Sequence, residues 1–75
     1  MTTYAICKAT NRSVIGVFSA QNKESALEAC RVACGKSRVP LAWSAEPIEE
    51  LHHPGAEDLY KAACRIRVGA VTDDA

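Results

Sequence analysis

The strongest periodic signal in the chain runs over positions 22–35. There Ala26, Leu27, Ala29, Cys30, Ala33 and Cys34 recur at the spacing of one helical face, and Glu24, Glu28 and Arg31 fall on the other. Asn22 is suited to cap the first turn with its side-chain oxygen, and Gly35 to end the last turn in the left-handed conformation. Glu24 near the start and Arg31, Lys36 and Arg38 at or beyond the end suit the helix dipole. The apolar face is made of small side chains, which predicts a helix lying closely on a small sheet.

Two runs before the helix read as strands. Positions 3–9 alternate as Tyr-x-Ile-x-Lys, positions 14–19 (Val-Ile-Gly-Val-Phe-Ser) are β-branched and aromatic, and Thr10-Asn11-Arg12-Ser13 between them has turn chemistry, with Asn11 suited to positive φ. Asn11-Arg12-Ser13 also spells a glycosylation acceptor, but a hairpin turn is the simpler reading. Beyond the helix, Pro40, Pro47 and Pro54 limit regular structure. Val39, Leu41 and Trp43 alternate as an extended arm with one buried face, expected to pass near Val32. Positions 48–52 form a short helix opened by Pro47, and positions 55–63 form another, acidic at its start. Positions 64–71 alternate as a last strand, Cys64, Ile66, Val68 and Ala70 on one face and Arg65 and Arg67 on the other, and positions 72–75 form a frayed tail. The expected fold is therefore α+β: a three-stranded antiparallel sheet in the order 2-1-3, with one main helix and one or two short helices on one face.

Seventy-five residues predict a single small α+β domain over 1–75, with a radius of gyration of about 11 Å and modest stability. A homodimer would add buried surface. Nine basic and nine acidic residues cancel, so no global field favours nucleic acid, anionic lipid or acidic substrates. The N-terminal residues have no signal-peptide pattern and no run approaches a membrane span, which predicts a cytoplasmic protein with reduced thiols.

Several segments carry a likeness to known proteins: Tyr4-x-Ile6, Ile15-Gly16-Val17-Phe18, 23–29 (Lys-Glu-Ser-Ala-Leu-Glu-Ala) and 58–66 (Asp-Leu-Tyr-Lys-Ala-Ala-Cys-Arg-Ile). On these the chain resembles small bacterial and phage accessory proteins of β-β-α-β type, and some anti-CRISPR inhibitors share that form. The resemblance covers about two-thirds of the chain and breaks at the proline-rich arm. It implies a hairpin, a helix and a final strand, and it carries over no catalytic residue and no cofactor.

Cys30 and Cys34 share a helical face, and Cys7 and Cys64 lie on expected strands. Core packing is the expected role of all four. The alternatives are a tetrahedral zinc held by Cys7, Cys30, Cys34 and Cys64, although a mid-helix pair is unlike the loop knuckles of dedicated zinc sites, and disulfide or redox chemistry, although a Cys30–Cys34 bridge does not suit a regular helix. His52 and His53 point different ways on an exposed helix end. Glu46, Glu49, Glu50, Glu57 and Asp58 form the acidic cluster, a solvated face or a dock for a basic partner. Trp43 is either a lid over the core or a partner anchor. Arg65, Arg67 and Lys8 would stripe the outer sheet face, where Tyr4 alone could stack on bases. No phosphate loop, nucleophile elbow or triad order is present.

These features lead to the expectation of a non-enzymatic protein-binding module acting as inhibitor, adaptor or self-associating accessory factor. Its contact residues are expected among Trp43, Glu46, Glu49, Glu50, His52, Arg65 and Arg67, with no cofactor. A nucleic-acid module on the Arg65/Arg67 face is the alternative.

Overall fold

The computed structural model describes residues 1–10 and 12–72. Strands β1 (Thr2–Lys8) and β2 (Ser13–Ala20) form the hairpin, followed by helix α1 (Lys23–Cys34), strand β3 (Trp43–Pro47), a 3₁₀ turn (Ile48–Leu51), helix α2 (Glu57–Cys64) and a two-residue strand β4 (Ala70–Val71). The sheet is antiparallel in the order β3-β1-β2-β4. The Cα radius of gyration is 10.9 Å.

Helix α1 is built as its local sequence dictates. Asn22 Oδ1 accepts from the Ser25 N–H at 2.8 Å, and Gly35 stops the helix at φ 73°, its N–H donating to the Val32 carbonyl. Arg31 pairs with Glu28 one turn earlier and also donates from Nη1 to the Lys36 carbonyl at 2.7 Å. The pairing with the guanidinium holds the Glu28 carboxyl below its ordinary range. Ala26 and Cys30 are buried, Leu27, Ala29 and Cys34 pack beside them, and Ala33 is exposed.

The expected fold needs three corrections. First, the sheet has four strands, and the place beside β1 belongs to β3, paired from Lys8↔Trp43 to Tyr4↔Pro47. The expected last strand over 64–71 shrinks to β4, because α2 extends to Cys64 and the N–H groups of Arg65 and Ile66 still bond back to Ala62 and Ala63. Gly69 then turns the chain at φ 91° and its N–H donates to the Val17 carbonyl, so β4 joins the free edge of β2.

Second, the helices cover both faces. Tyr4, Ile6, Ile15, Phe18, Trp43 and Ala45 pack with Ala26 and Cys30 of α1, while Ala5, Cys7, Val14 and Val17 pack on the other side with Leu51, Ala56 and Ala63. The physical reason lies in the strands: Tyr4-Ala5-Ile6-Cys7 and 14–18 are unbroken apolar runs, the signature of a strand buried on both faces. A bulge at Ile6/Cys7 sets Cys7 opposite Val14 and Ile6 opposite Gly16. Ile15 is the extra residue, and the bulge lets it be buried on the α1 side and Val14 on the α2 side.

Third, the arm covers less than expected. Val39 packs against the α1-side core, but Leu41 is fully exposed and Val32 remains 63 % exposed. The positive φ of the hairpin turn is seen at Arg12 (φ 50°), and Asn11 lies outside the described residues. So does the expected tail, except Thr72, whose N–H donates to the Ile15 carbonyl at 2.8 Å.

Candidate functional site

The α2 side of the sheet is capped by short elements, the 3₁₀ turn and an eight-residue helix, joined by residues 52–56 (His-His-Pro-Gly-Ala). Elements this short cannot tile the sheet, and two adjoining clefts remain. One, of about 360 Å³, is lined by Cys7, Arg12, Glu46, Glu50, Leu51 and Leu59, with Lys8, Ala9, Ser44, His53 and Ala56 completing it. The other, of about 340 Å³, shares Leu51 and His53 with the first and adds His52, Pro54, Glu57, Tyr60 and Lys61. Leu51 and Ala56 are buried and Leu59 half-buried, so the first cleft has an apolar floor and a charged rim.

The register of β3 explains the acidic side of that rim. Glu46 pairs with Ala5 and Ser44 with Cys7, on the parity that faces α2, whereas Trp43 and Ala45 face α1. Pro47 then turns the chain into the 3₁₀ turn, which brings Glu50 to the same cleft. On the other side, Arg12 Nη2 donates to the Gly55 carbonyl at 2.8 Å and ties the hairpin turn to the loop before α2. Among the described residues, neither Glu46 nor Glu50 has an ion pair or a side-chain hydrogen bond.

The thiol of Cys7 in this cleft is pushed up to about 11, chiefly by burial and then by the negative charge of Glu46. A nucleophilic cysteine needs the opposite shift; a pKa near 11 leaves on the order of 1 thiolate in 10⁴ at neutral pH. His53 Nδ1 lies 3.0 Å from the Pro54 carbonyl, a hydrogen bond in the tautomer protonated there. In the second cleft the His52 and Tyr60 rings meet at 4.1 Å between centroids, tilted by 49°. A hydrogen bond with Cys64 raises the pKa of the Tyr60 hydroxyl.

The sequence-predicted contact residues are only partly united. Glu46 and Glu50 share the first cleft and His52 lines the second. Glu49 faces a separate depression beside Met1, Thr2, Thr3 and Ile48. Trp43 is only 7 % exposed, packed under α1 with Lys36 Nζ 6.0 Å from its ring centroid, so the lid role fits it and little of it is open to a partner. Arg65 and Arg67 are exposed beyond α2 and do not stripe the sheet, whose outer face does not exist once α2 covers it.

The four cysteines of the zinc alternative are not brought together. Cys7 lies on the α2 side of the sheet and Cys30 on the α1 side, Cys34 is half-buried next to Cys30, and Cys64 is exposed. Among the described residues no three His, Cys, Asp or Glu side chains come together as metal ligands would. Burial and the neighbouring Cys34 thiol push the Cys30 thiol up to about 12, the setting of a core residue. Arg12, Leu59 and Ala56 were missed as site residues because Arg12 meets Gly55 across 43 positions of sequence, with no local signal.

No helix among the described residues is long and apolar enough to cross a membrane. No protein-family model matches the chain, and neither the curated proteins nor the solved structures contain a match to it.

Proposed function

We propose that this chain is a non-enzymatic protein-binding module, an inhibitor or adaptor of the bacterial and phage accessory type, and that it grips a loop or extended segment of its partner in the clefts beside α2. The observation that carries this reading is the first cleft itself: an apolar floor of Leu51, Ala56 and Leu59 ringed by charges that are not paired with one another. An interface needs a desolvated apolar centre with a polar rim, and this arrangement offers both. An enzyme reading has less support, since the one thiol in the cleft is raised rather than activated. The nucleic-acid reading loses its platform, because Arg65 and Arg67 do not share a sheet face with Tyr4, which is buried toward α1.

The test is a selection of random phage-displayed peptides on the immobilised protein, followed by affinity measurement on the wild type and on Leu59→Glu, with folding of the variant checked by its melting curve. The reading expects selected peptides to bind at least about tenfold more weakly to the variant, a loss of about 1.4 kcal/mol. Peptides indifferent to Leu59→Glu would overturn the cleft as the contact face. Tight binding of labelled single-stranded DNA that collapses with added salt would overturn the protein-binding reading.

A further inference from the structure

We infer that Arg12 is a clasp on the first cleft: seated on the Gly55 carbonyl it holds the turn before α2 against the hairpin and keeps the cleft shut over Cys7, and released it lets that turn swing away. The turn is His53-Pro54-Gly55-Ala56. The Ala56 N–H donates to the His53 carbonyl at 3.1 Å, Gly55 stands at φ 96°, and Pro54 and Gly55 hold the second and third places of a type II turn. Residues 52–55 are exposed, strung between Leu51 and Ala56, which are buried in the α2-side core. Among the described residues, the 2.8 Å bond from Arg12 Nη2 is the one hydrogen bond that joins 53–55 to another element, since the His53 ring and the Ala56 N–H bond within the turn itself. Without it the turn is attached only at its ends.

Both sides of this bond belong to the cleft. Arg12, His53 and Ala56 line it together with Cys7, Leu51 and Leu59, and Cys7 is 7 % exposed. The closed form leads by a narrow margin. A charged donor makes a stronger bond than a neutral one, but this bond lies in water, fixes a long side chain, and starts from a residue at φ 50°, where a side chain crowds its own backbone. That balance puts the open form on the order of 1–10 % of molecules, a local opening that leaves the rest of the domain folded. An occupant that needs the wider cleft binds only that fraction, so the clasp governs access whatever enters.

The test is the rate at which iodoacetamide labels each cysteine of the folded protein at neutral pH, read by mass spectrometry after digestion, in the wild type, Arg12→Met and Arg31→Met. Arg12→Met keeps the stem and loses the donor, and Arg31→Met loses a guanidinium bond to the Lys36 carbonyl at the end of α1. Cys30, fully buried under α1, reports opening of the whole domain. Burial and then Glu46 raise the Cys7 thiol while the Arg12 charge draws it back down, so loss of that charge by itself slows Cys7 and acceleration reads opening. In Arg12→Met, Cys7 is expected to label roughly tenfold faster, as for the loss of one charge-assisted hydrogen bond, with the Cys30 rate unchanged. In Arg31→Met, Cys7 is expected to label as in the wild type. A Cys7 rate that stays the same or slows in Arg12→Met, Cys7 and Cys30 accelerating by the same factor, or an equal gain at Cys7 in Arg31→Met would overturn the clasp. Peptide binding is not the readout, so the protein-binding reading stands or falls separately.

Discussion

The two faces of the sheet are built from the same strands but use them differently. On the α1 side, a capped twelve-residue helix lays Ala26 and Cys30 onto Tyr4, Ile6, Ile15 and Phe18, and Trp43 closes the end. Small helical side chains permit close approach, and Ala26 and Cys30 are fully buried there. On the α2 side, Ala5, Cys7, Val14 and Val17 meet shorter elements with no side-chain cap at either the 3₁₀ turn or α2, and clefts with charged rims remain. A domain this small must secure one face well before the other can be left irregular enough to bind.

Substitutions on the two faces should therefore differ in size, and the largest effect is expected in the α1-side core. Ile15→Ala removes a fully buried side chain seated by the bulge and should cost about 3 kcal/mol. Total stability for a chain this size is on the order of 4–11 kcal/mol, so a urea melt should show a clear fall in midpoint. Leu59→Ala, half-buried at the cleft, should cost about 1 kcal/mol while weakening peptide binding. Equal losses at the two sites would break the contrast between the faces.

Gly16→Ala is expected next. A Cβ there would stand 2.9 Å from Phe18 Cε2 and 3.2 Å from both the Ala70 carbonyl oxygen and Val71 Cγ1. The strand backbone cannot yield easily, so we expect about 1–3 kcal/mol of destabilisation, read by urea melt. Loosening of β4 should appear as faster amide exchange at Gly69 and Thr72, whose N–H groups bond to β2.

The thiols sharpen the comparison through pH. Burial raises the folded-state thiols of Cys7 and Cys30 from the ordinary 9.0 to about 11 and about 12, so the folded protein holds these protons more tightly than the unfolded chain does. Their stabilisation is complete below pH 9 and is lost as the pH rises through 11–12. Stability should fall by on the order of 2 kcal/mol per thiol between pH 9 and 11. Cys7→Ala should flatten part of that fall, and a thiol reagent at neutral pH should label the exposed Cys64 first and Cys30 last. The smallest effect is expected for Asn22→Ala, about 1 kcal/mol from the lost cap, with no change in peptide binding.

What could be read from the sequence follows the range of the interactions. Helix α1 was legible to its caps because Asn22, the apolar spacing and Gly35 are all local. The hairpin, the 3₁₀ turn after Pro47 and α2 were legible for similar reasons. Strand β3 was not: Trp-Ser-Ala-Glu-Pro has no β-branched residue, and only its pairing with β1 makes it a strand. Positions 64–71 alternate convincingly, yet Cys64 and Arg65 complete a helix and Val68 ends up exposed, because tertiary packing outweighs a short pattern. At the site, the acidic arm was visible as composition. That Glu46 and Glu50 converge while Glu49 points elsewhere depends on the Ala5↔Glu46 register and the tight turn after Pro47, which no local spacing encodes.

The most direct test is to map where a selected high-affinity peptide perturbs the backbone amides of the folded protein. Perturbations gathered over 44–61, with α1 between Lys23 and Cys34 unchanged, are the predicted result. Perturbations centred on α1 or on 36–42, with the α2 side silent, would contradict the account.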